Sequence, residues 1–269
     1  MPPTIRQPAV AGRFYPRDPN VLRADVNSYL VSQEPRLPAF GCVVPHAGYM
    51  YSGHVAGAVF ARLDLTPQCI LLCPNHTGLG TPLSIMSTGG WLTPLGNVAI
   101  NSDLADRLKE HFSLLTEDSD AHRSEHSAEV ELPFLQVLQP DIEFVPIAIG
   151  TSRYEVLEGL GHAVAEVLKQ HDRILIIASS DMNHYENDAI TRIKDHKAID
   201  RILALDPKGL FEVVMKQEIS MCGYGPTVAM LTAVRELGAT RAELVKYATS
   251  GDVSGDRNMV VGYAGVSVS

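Results

Sequence analysis

Short apolar runs alternate with segments of helical periodicity along most of the chain. Several runs are apolar almost throughout, as are strands that helices cover on both faces. Pro, Gly or polar turn residues bound these runs. The predicted strands are 40–44, 68–73, 83–87, 142–149, 173–178, 242–248 and 259–268. Apolar spacing predicts helices over 55–63, 104–112, 127–138, 156–169, 189–205, 207–215 and 227–237.

This alternation predicts an α/β fold with a central sheet, mostly parallel or mixed, and helices on both faces. No Ser/Gly-rich linker, low-complexity tract or internal repeat divides the sequence, so we expect a single domain over residues 1–269. The stretch 116–125 is polar and poor in apolar residues, and it is predicted to be a loop.

Composition narrows the class of protein. The chain has 269 residues, with 22 Lys and Arg against 31 Asp and Glu, and the formal net charge of −9 argues against a nucleic-acid partner. No apolar run has the ~18 residues of a membrane span, and the first residues lack the apolar core of a signal peptide. We therefore expect a cytoplasmic protein without a membrane partner. Three of the four cysteines, Cys42, Cys69 and Cys73, lie in apolar runs and are predicted to be buried thiols.

The ten histidines are the unusual feature, and several follow predicted strands. Pro45-His46 follows the strand 40–44, Pro74-Asn75-His76 follows 68–73, and Asp181 and His184 follow 173–178. If these strands are parallel, the four side chains emerge at one edge of the sheet, where open α/β folds bind ligands. Imidazole is a common metal ligand, and His and Asp also serve as acids and bases. The alternative is that each residue only caps its loop.

Cys222 differs from the other cysteines because glycines surround it and a predicted helix follows. A thiol near a helix N-terminus has a lowered pKa, which favours the thiolate needed for metal binding or nucleophilic attack. The alternative is that the glycines only shape a turn.

Residues His122 to His126 match the inverted zinc-protease pattern H-x-x-E-H. That chemistry needs a regular helix, and the polar stretch 116–120 lacks the apolar periodicity to seat one. We expect instead a helix that begins near Ser124 or His126 and places Glu129 one turn on, where it would pair with His126. A solvated helix start is the alternative. The sequence contains no phosphate-binding loop, dinucleotide fingerprint or serine-hydrolase elbow.

Six segments in order along the chain resemble the Memo family, whose bacterial and archaeal members are also described as protein B of the AmmeMemoRadiSam system. They are Arg6 to Pro16, Pro45 to Tyr49, Pro74 to His76, Glu125 to Pro133, Ser179 to His184, and Cys222-Gly223.

The resemblance implies a fold related to the class III extradiol dioxygenases, which use non-haem ferrous iron. It also implies a metal site of two histidines and a cysteine, at positions that match His46, His76 and Cys222. The positions that match Asp181, His184 and His126 line the same pocket. The dioxygenases have a carboxylate where the family has the cysteine. Met182 stands where the family often has an aromatic residue.

The leading hypothesis is an iron(II)-dependent oxidoreductase that acts on a small organic molecule, with zinc or copper as alternative metals. His184 would shuttle protons, Asp181 would orient His184 or a bound water, and His126 would contact substrate or oxygen.

Two further hypotheses stay open. A zinc-dependent hydrolase would use Asp181 or His184 as its base. A non-catalytic protein would bind a peptide or another partner in the pocket, or would sequester a metal. In bacteria the resemblance also implies a functional link to a radical-SAM protein and to an AMMECR-family protein.

Overall fold

A mixed sheet of 12 strands runs through the centre of the protein, of which the computed structural model describes residues 4–32 and 34–269. The strands are β1 Ile5–Arg6, β2 Gly41–Val44, β3 Gln68–Pro74, β4 Leu83–Ile85, β5 Gly90–Thr93, β6 Gly96–Ile100, β7 Thr116–Glu117, β8 Glu143–Ile149, β9 Leu175–Ser179, β10 His184–Glu186, β11 Ala242–Thr249 and β12 Val260–Val268. The α-helices are α1 Pro19–Tyr29, α2 Tyr49–Arg62, α3 Ser102–His111, α4 Asp120–Arg123, α5 Leu132–Leu138, α6 Tyr154–Leu168, α7 Asp188–Leu203, α8 Pro207–Lys216, α9 Tyr224–Glu236 and α10 Ser250–Ser254. A 3-10 turn, Glu129–Glu131, precedes α5.

The middle of the sheet is parallel, and antiparallel pairs occur on both sides of it. The main order is β1-β5-β6-β8-β3-β9-β2-β12-β10, with β11 beside β12 and β4 beside β8. Strands β8, β3, β9 and β2 all run in the same direction, whereas β12 is antiparallel to β2. The carboxyl ends of β2, β9 and β3 therefore lie next to one another.

Alternate residues of the central strands enter two separate cores, one on each face of the sheet. In β3, Ile70 and Leu72 belong to one core, and Cys69, Leu71 and Cys73 belong to the other. Helices α3, α6, α7, α8 and α9 contribute to the first core, and α1, α2 and α5 contribute to the second. The predicted α/β class with helices on both faces is confirmed.

Several elements differ from the sequence prediction. Helix α2 begins at Tyr49, six residues before the predicted start, with Gly48 as its N-cap. Helix α1 was not predicted, although Asp18 caps its first amides and Pro19 opens it. The hairpin β5–β6 was not predicted either. The predicted loop 116–125 contains β7 and α4, and the first turn of the predicted helix 127–138 is 3-10 rather than α-helical.

Strand β11 pairs with β12 and carries a bulge between Leu244 and Lys246. No other strand pairs with β11 among the residues that the structure describes. Within the same residues, no helix is long and apolar enough to cross a membrane.

Candidate metal site at the carboxyl edge of the sheet

Three of the predicted site residues follow the carboxyl ends of three adjacent parallel strands. His46 lies just beyond β2, His76 just beyond β3 and Asp181 just beyond β9. Since β9 pairs with both β2 and β3, the three loops meet at one edge of the sheet. This is the edge at which open α/β folds place their ligands.

His46, His76 and His126 form a cluster at this edge. Each offers one ring nitrogen, and the three ligand atoms all lie within 4.8 Å of one another. The ring centroids of His76 and His126 are 4.8 Å apart, and that of His46 lies 5.2 and 5.4 Å from them. His46 is buried and His76 is the most exposed of the three. The cluster is thus buried at His46 and accessible to solvent at His76, and it could hold a metal ion.

Cys222 and Asp181 lie against His46. The Cys222 Sγ atom is 3.2 Å from His46 Nε2, and the Asp181 carboxylate accepts a 2.8 Å hydrogen bond from the His46 backbone amide. Cys222 is nevertheless outside the three-histidine group. The structure therefore brings His46, His76, Cys222 and Asp181 to one place, and adds His126 as a further nitrogen donor.

The expected low pKa of the Cys222 thiol is wrong. Cys222 does lie directly before α9, whose N-cap is Gly223. Burial, however, raises the pKa of Cys222 well above its ordinary value, and the negative charge of Asp181 adds to this shift. Desolvation of a thiolate in this position outweighs the helix dipole. Without a metal the side chain is a neutral thiol.

Glu125 is a site residue that was not predicted from the sequence. It is fully buried, and its carboxylate accepts hydrogen bonds from His76 N at 2.6 Å, His76 Nδ1 at 2.8 Å and Ser127 Oγ at 2.8 Å. Burial opposes the charge, yet these hydrogen bonds hold the pKa of Glu125 at about 2. Because Nδ1 of His76 faces this carboxylate, Nε2 is left for a metal. The signal was present as the acidic position of the H-x-x-E-H pattern.

The expected pairing of His126 with Glu129 is also wrong. Glu129 Oε2 forms a 2.6 Å ion pair with Arg6, and its Oε1 accepts from the Tyr15 hydroxyl. The carboxylate beside His126 is Glu125, whose Oε1 lies 3.4 Å from His126 Nδ1.

His122, the other histidine of the H-x-x-E-H pattern, does not belong to the cluster. It sits on the four-residue helix α4, with its ring centroid 5.7 Å from that of Trp91. Neither of its ring nitrogens has a hydrogen-bond partner among residues 4–32 and 34–269. The two histidines of the pattern therefore do not face a common metal.

Arg6 holds the loop that carries His126. Its guanidinium donates to the carbonyl of His122 at 2.7 Å and to the carbonyl of Glu125 at 2.6 Å, and it lies 4.1 Å from the Trp91 ring centroid. A strand at the start of the chain thereby fixes a loop more than a hundred residues later.

Charge on the histidines follows their surroundings. Burial lowers the pKa of His46 well below its ordinary value and also lowers that of His126. At His76, burial acts in the same direction, but the hydrogen bond from Nδ1 to Glu125 outweighs it and raises the pKa. His46 and His126 are therefore neutral at pH 7, the form in which imidazole binds a metal.

His184 is oriented by Ser220 rather than by Asp181. Its backbone amide donates to Ser220 Oγ at 2.7 Å, and its Nδ1 lies 2.8 Å from the Ser220 carbonyl. A carbonyl only accepts, so Nδ1 carries the proton and Nε2 has a free lone pair. Burial lowers the pKa of His184, which keeps the ring neutral. The expectation that Asp181 orients His184 finds no support in these contacts.

A buried network fixes Ser220 in turn. Asn183 Oδ1 accepts from the amide and the hydroxyl of Ser220, each at 3.1 Å. The Asp195 carboxylate accepts hydrogen bonds from the backbone amide of Asn183 at 2.8 Å and from the Tyr247 hydroxyl at 2.7 Å. Burial raises the pKa of Asp195 to about 6.

Fold and site together define an α/β protein with a histidine cluster, able to hold a metal, at the carboxyl edge of its sheet. A family model described as Memo-like protein matches residues 6–267. The chain belongs to the Memo family, which confirms the resemblance seen in the sequence.

Similar proteins extend over the same length. The chain is 42% identical to MEMO1 family protein MTH_45 of Methanothermobacter thermautotrophicus, over 98% of this chain and 100% of that protein. It is 45% identical to MEMO1 family protein Mbar_A1422 of Methanosarcina barkeri, again over 98% and 100%. The crystal structure of uncharacterized protein JW3007 from Escherichia coli K12 superimposes with a TM-score of 0.54 at 14% identity, covering 83% of this chain and 98% of that one. This last similarity is one of fold.

Proposed function

We propose that the protein is a metal-dependent oxidoreductase that acts on a small organic molecule, with ferrous iron as its metal. The observation that carries the proposal is the group of three ring nitrogens, from His46, His76 and His126, within 4.8 Å of one another. Neutral imidazoles suit iron, copper and zinc, and sites with few protein ligands leave coordination positions open. The likeness of the family fold to extradiol dioxygenases favours iron among these metals.

His46 and His76 are the first two ligands in this proposal, and Cys222 is the third, as the family resemblance implies. The 3.2 Å contact between Cys222 and His46 supports the thiol as a ligand, because it brings sulfur and nitrogen donors together. His126 is then left to contact substrate or oxygen, or to replace Cys222 as third ligand. When bound, ferrous iron would supply redox chemistry and open positions for small molecules.

His184 and Asp181 are the proposed proton carriers. The lone pair on His184 Nε2 would accept a proton, since the Ser220 carbonyl fixes the proton of the ring on Nδ1. Burial raises the pKa of Asp181 to about 7. Groups that titrate near neutral pH are suited to general acid–base work.

The experiment that tests the proposal is metal analysis of protein purified without oxygen, followed by oxygen uptake with phenolic and heterocyclic substrates. We expect iron in the wild type, loss of iron in His46→Ala and His76→Ala, and retained iron with lost turnover in His184→Gln. Loss of iron in Cys222→Ala but not in His126→Ala would establish the thiol as third ligand. Equal, near-zero iron in the wild type and in Cys222→Ala would overturn the assignment.

A zinc-dependent hydrolase is the second candidate, and the three-histidine group itself favours it. Three imidazoles with one open position are a common catalytic zinc set. Asp181 or His184 would act as the base in that case. Turnover that zinc restores without oxygen uptake would select this candidate. Tight binding of a peptide, with no turnover under any metal, would select the non-catalytic hypothesis. The functional link to a radical-SAM protein and an AMMECR-family protein and the cytoplasmic location stay predictions.

A further inference from the structure

Glu131 is a buried acid behind the candidate metal site. Its side chain has no exposed surface, and its Oε1 lies 3.1 Å from the hydroxyl of Ser179. Its Oε2 has no hydrogen-bond partner within residues 4–32 and 34–269. The buried cation Arg6 pairs with Glu129 instead. A carboxylate in this place would have neither a counter-ion nor enough hydrogen-bond donors.

The Ser179 hydroxyl has three polar neighbours. Ser179 Oγ lies 2.7 Å from the Ser127 carbonyl, 2.8 Å from His46 Nδ1 and 3.1 Å from Glu131 Oε1. A hydroxyl donates one hydrogen bond and accepts two. The Ser127 carbonyl only accepts, so it takes the proton of Ser179. His46 and Glu131 must therefore both donate to Ser179 Oγ.

We propose that Glu131 is a protonated carboxylic acid that donates its proton to Ser179 Oγ. The same oxygen accepts the Nδ1–H of His46 and leaves Nε2 of that ring for the metal. The proposal rests on the proposed function only in assigning His46 as a ligand. The contact of Cys222 with His46 agrees with it, because a neutral thiol donates to an unprotonated Nε2.

The other groups near Glu131 do not offer it a charge or a proton. The Tyr49 hydroxyl donates to the Val130 carbonyl at 2.7 Å. Burial raises the pKa of the Cys42 thiol well above its ordinary value, and Asp181 is itself an acid, so neither supplies a counter-charge. Burial raises the pKa of Glu131 well above its ordinary value, and negative charge on Asp181 adds to the shift, in agreement with the count of hydrogen bonds at Ser179.

The buried groups that contact Nδ1 of His76 and Nδ1 of His46 then differ in charge. His76 is backed by the ionised carboxylate of Glu125, whereas His46 is backed by a neutral hydroxyl and a neutral acid. A carboxylate behind an imidazole raises its basicity as a ligand more than a hydroxyl does. His46 is therefore the weaker of the two electron donors.

Infrared spectroscopy of the metal-free protein tests the protonation state directly. The difference spectrum of wild type minus Glu131→Gln at neutral pH should contain the carbonyl stretch of a protonated carboxylic acid. Ser179→Ala should shift that band, because it removes the acceptor of the acid proton. A difference spectrum that contains only carboxylate bands would overturn the proposal. Since no metal is present, this result is independent of the iron content that tests the proposed function.

Nitrogen NMR of the histidine rings and zinc titration test the count of hydrogen bonds at Ser179. In the wild type, His46 should show the Nδ1–H tautomer, identified by the signal lost in His46→Gln. Glu131→Gln keeps a donor toward Ser179 and should preserve both the tautomer and the zinc affinity. Ser179→Ala removes the acceptor of the His46 N–H and should mix the tautomers and weaken zinc binding about tenfold. An Nε2–H tautomer in the wild type, or equal zinc affinity in Glu131→Gln and Ser179→Ala, would contradict the proposal. If Ser179→Ala fails to fold, the infrared spectrum of Glu131→Gln and the wild-type tautomer still decide.

Discussion

At the scale of single residues, Glu125 fixes the orientation of the His76 ring. It lies away from water, and it receives the backbone amide and the ring of His76 together with two groups of Ser127. Because the carboxylate is already ionised and fixed, the His76 ring does not have to reorient when a metal arrives.

Substitution of this carboxylate should weaken the site. In Glu125→Gln the side-chain NH2 group faces hydrogen-bond donors where the wild type has an accepting carboxylate oxygen. We therefore expect zinc affinity to fall about 10- to 100-fold. Competition against a chromogenic chelator measures this. Glu212→Gln, on the exposed face of α8, is the control and should bind zinc as the wild type does. Equal affinity in both variants would show that Glu125 does not support a metal ligand.

Asp195 should give the folded state a distinct dependence on pH. Its pKa is about 6 in the folded protein because it is buried, and about 3.9 in an unfolded chain. As pH rises through this window the unfolded chain gives up its proton first, so the folded state loses stability, and it loses no more above the window. Relative to Asp195→Asn, the wild type should lose about 3 kcal/mol of unfolding free energy from about pH 3.5 to about pH 7.5.

Urea unfolding at several pH values measures this loss. Asp200→Asn, an exposed change on the same helix α7, should leave the wild-type profile unaltered. Parallel pH profiles for the wild type and Asp195→Asn would mean that Asp195 is not perturbed.

At the scale of elements, the close approach of the start of α9 to the end of β9 places Cys222. A Cβ atom on Gly223 would lie 2.3 Å from the Ser179 carbonyl oxygen and 2.3 Å from Ser180 Cβ. Only a residue without a side chain allows the helix to begin this close to the strand. The thiol reaches His46 for the same reason.

Gly223→Ala should therefore disturb both stability and the site. We expect a loss of about 1–3 kcal/mol in unfolding free energy, because backbone atoms must separate to admit the methyl group. Zinc affinity should fall with it. Gly159→Ala in α6 is the matched control, since its Cβ would meet only the edge of the Phe112 ring at 3.2 Å. If the two variants were equally stable, the proposed close approach would be wrong.

Strand ends can be predicted from the sequence because their signal is local. An apolar run followed by Pro and a polar residue marks the exit from a buried strand, and this pattern alone places His46 and His76 at the ends of their strands. The partners of these residues cannot be predicted in this way. Ser179 meets His46 across 133 residues of sequence, and Glu125 meets His76 across 49. The shift in the thiol pKa was predicted with the wrong sign because burial depends on this tertiary packing.

At the scale of the whole molecule, a metal at this edge would join segments from distant parts of the chain. The ligands follow β2 and β3 and precede the 3-10 turn and α9, so a bound ion would join two central strands to these two later segments. Binding to the folded state alone stabilises it by mass action.

Zinc should therefore raise the melting temperature of the protein. At a free concentration about 100 times the dissociation constant the expected gain is about 2.7 kcal/mol. A chelator should reverse the gain, and the His46→Ala/His76→Ala double variant should show none. His111→Gln, at the exposed end of α3, should respond like the wild type. The same increase in the double variant would place the zinc elsewhere.

The bulge in β11 has a consequence for behaviour in concentrated solution. Within residues 4–32 and 34–269, β11 has a partner strand on one side only, so it would offer a second molecule a row of unpaired amides and carbonyls. The interruption between Leu244 and Lys246 breaks that row in the middle, and the exposed lysine puts a charge where an incoming strand would lie. The bulge in β11 thus disfavours self-association of the protein through this edge of the sheet.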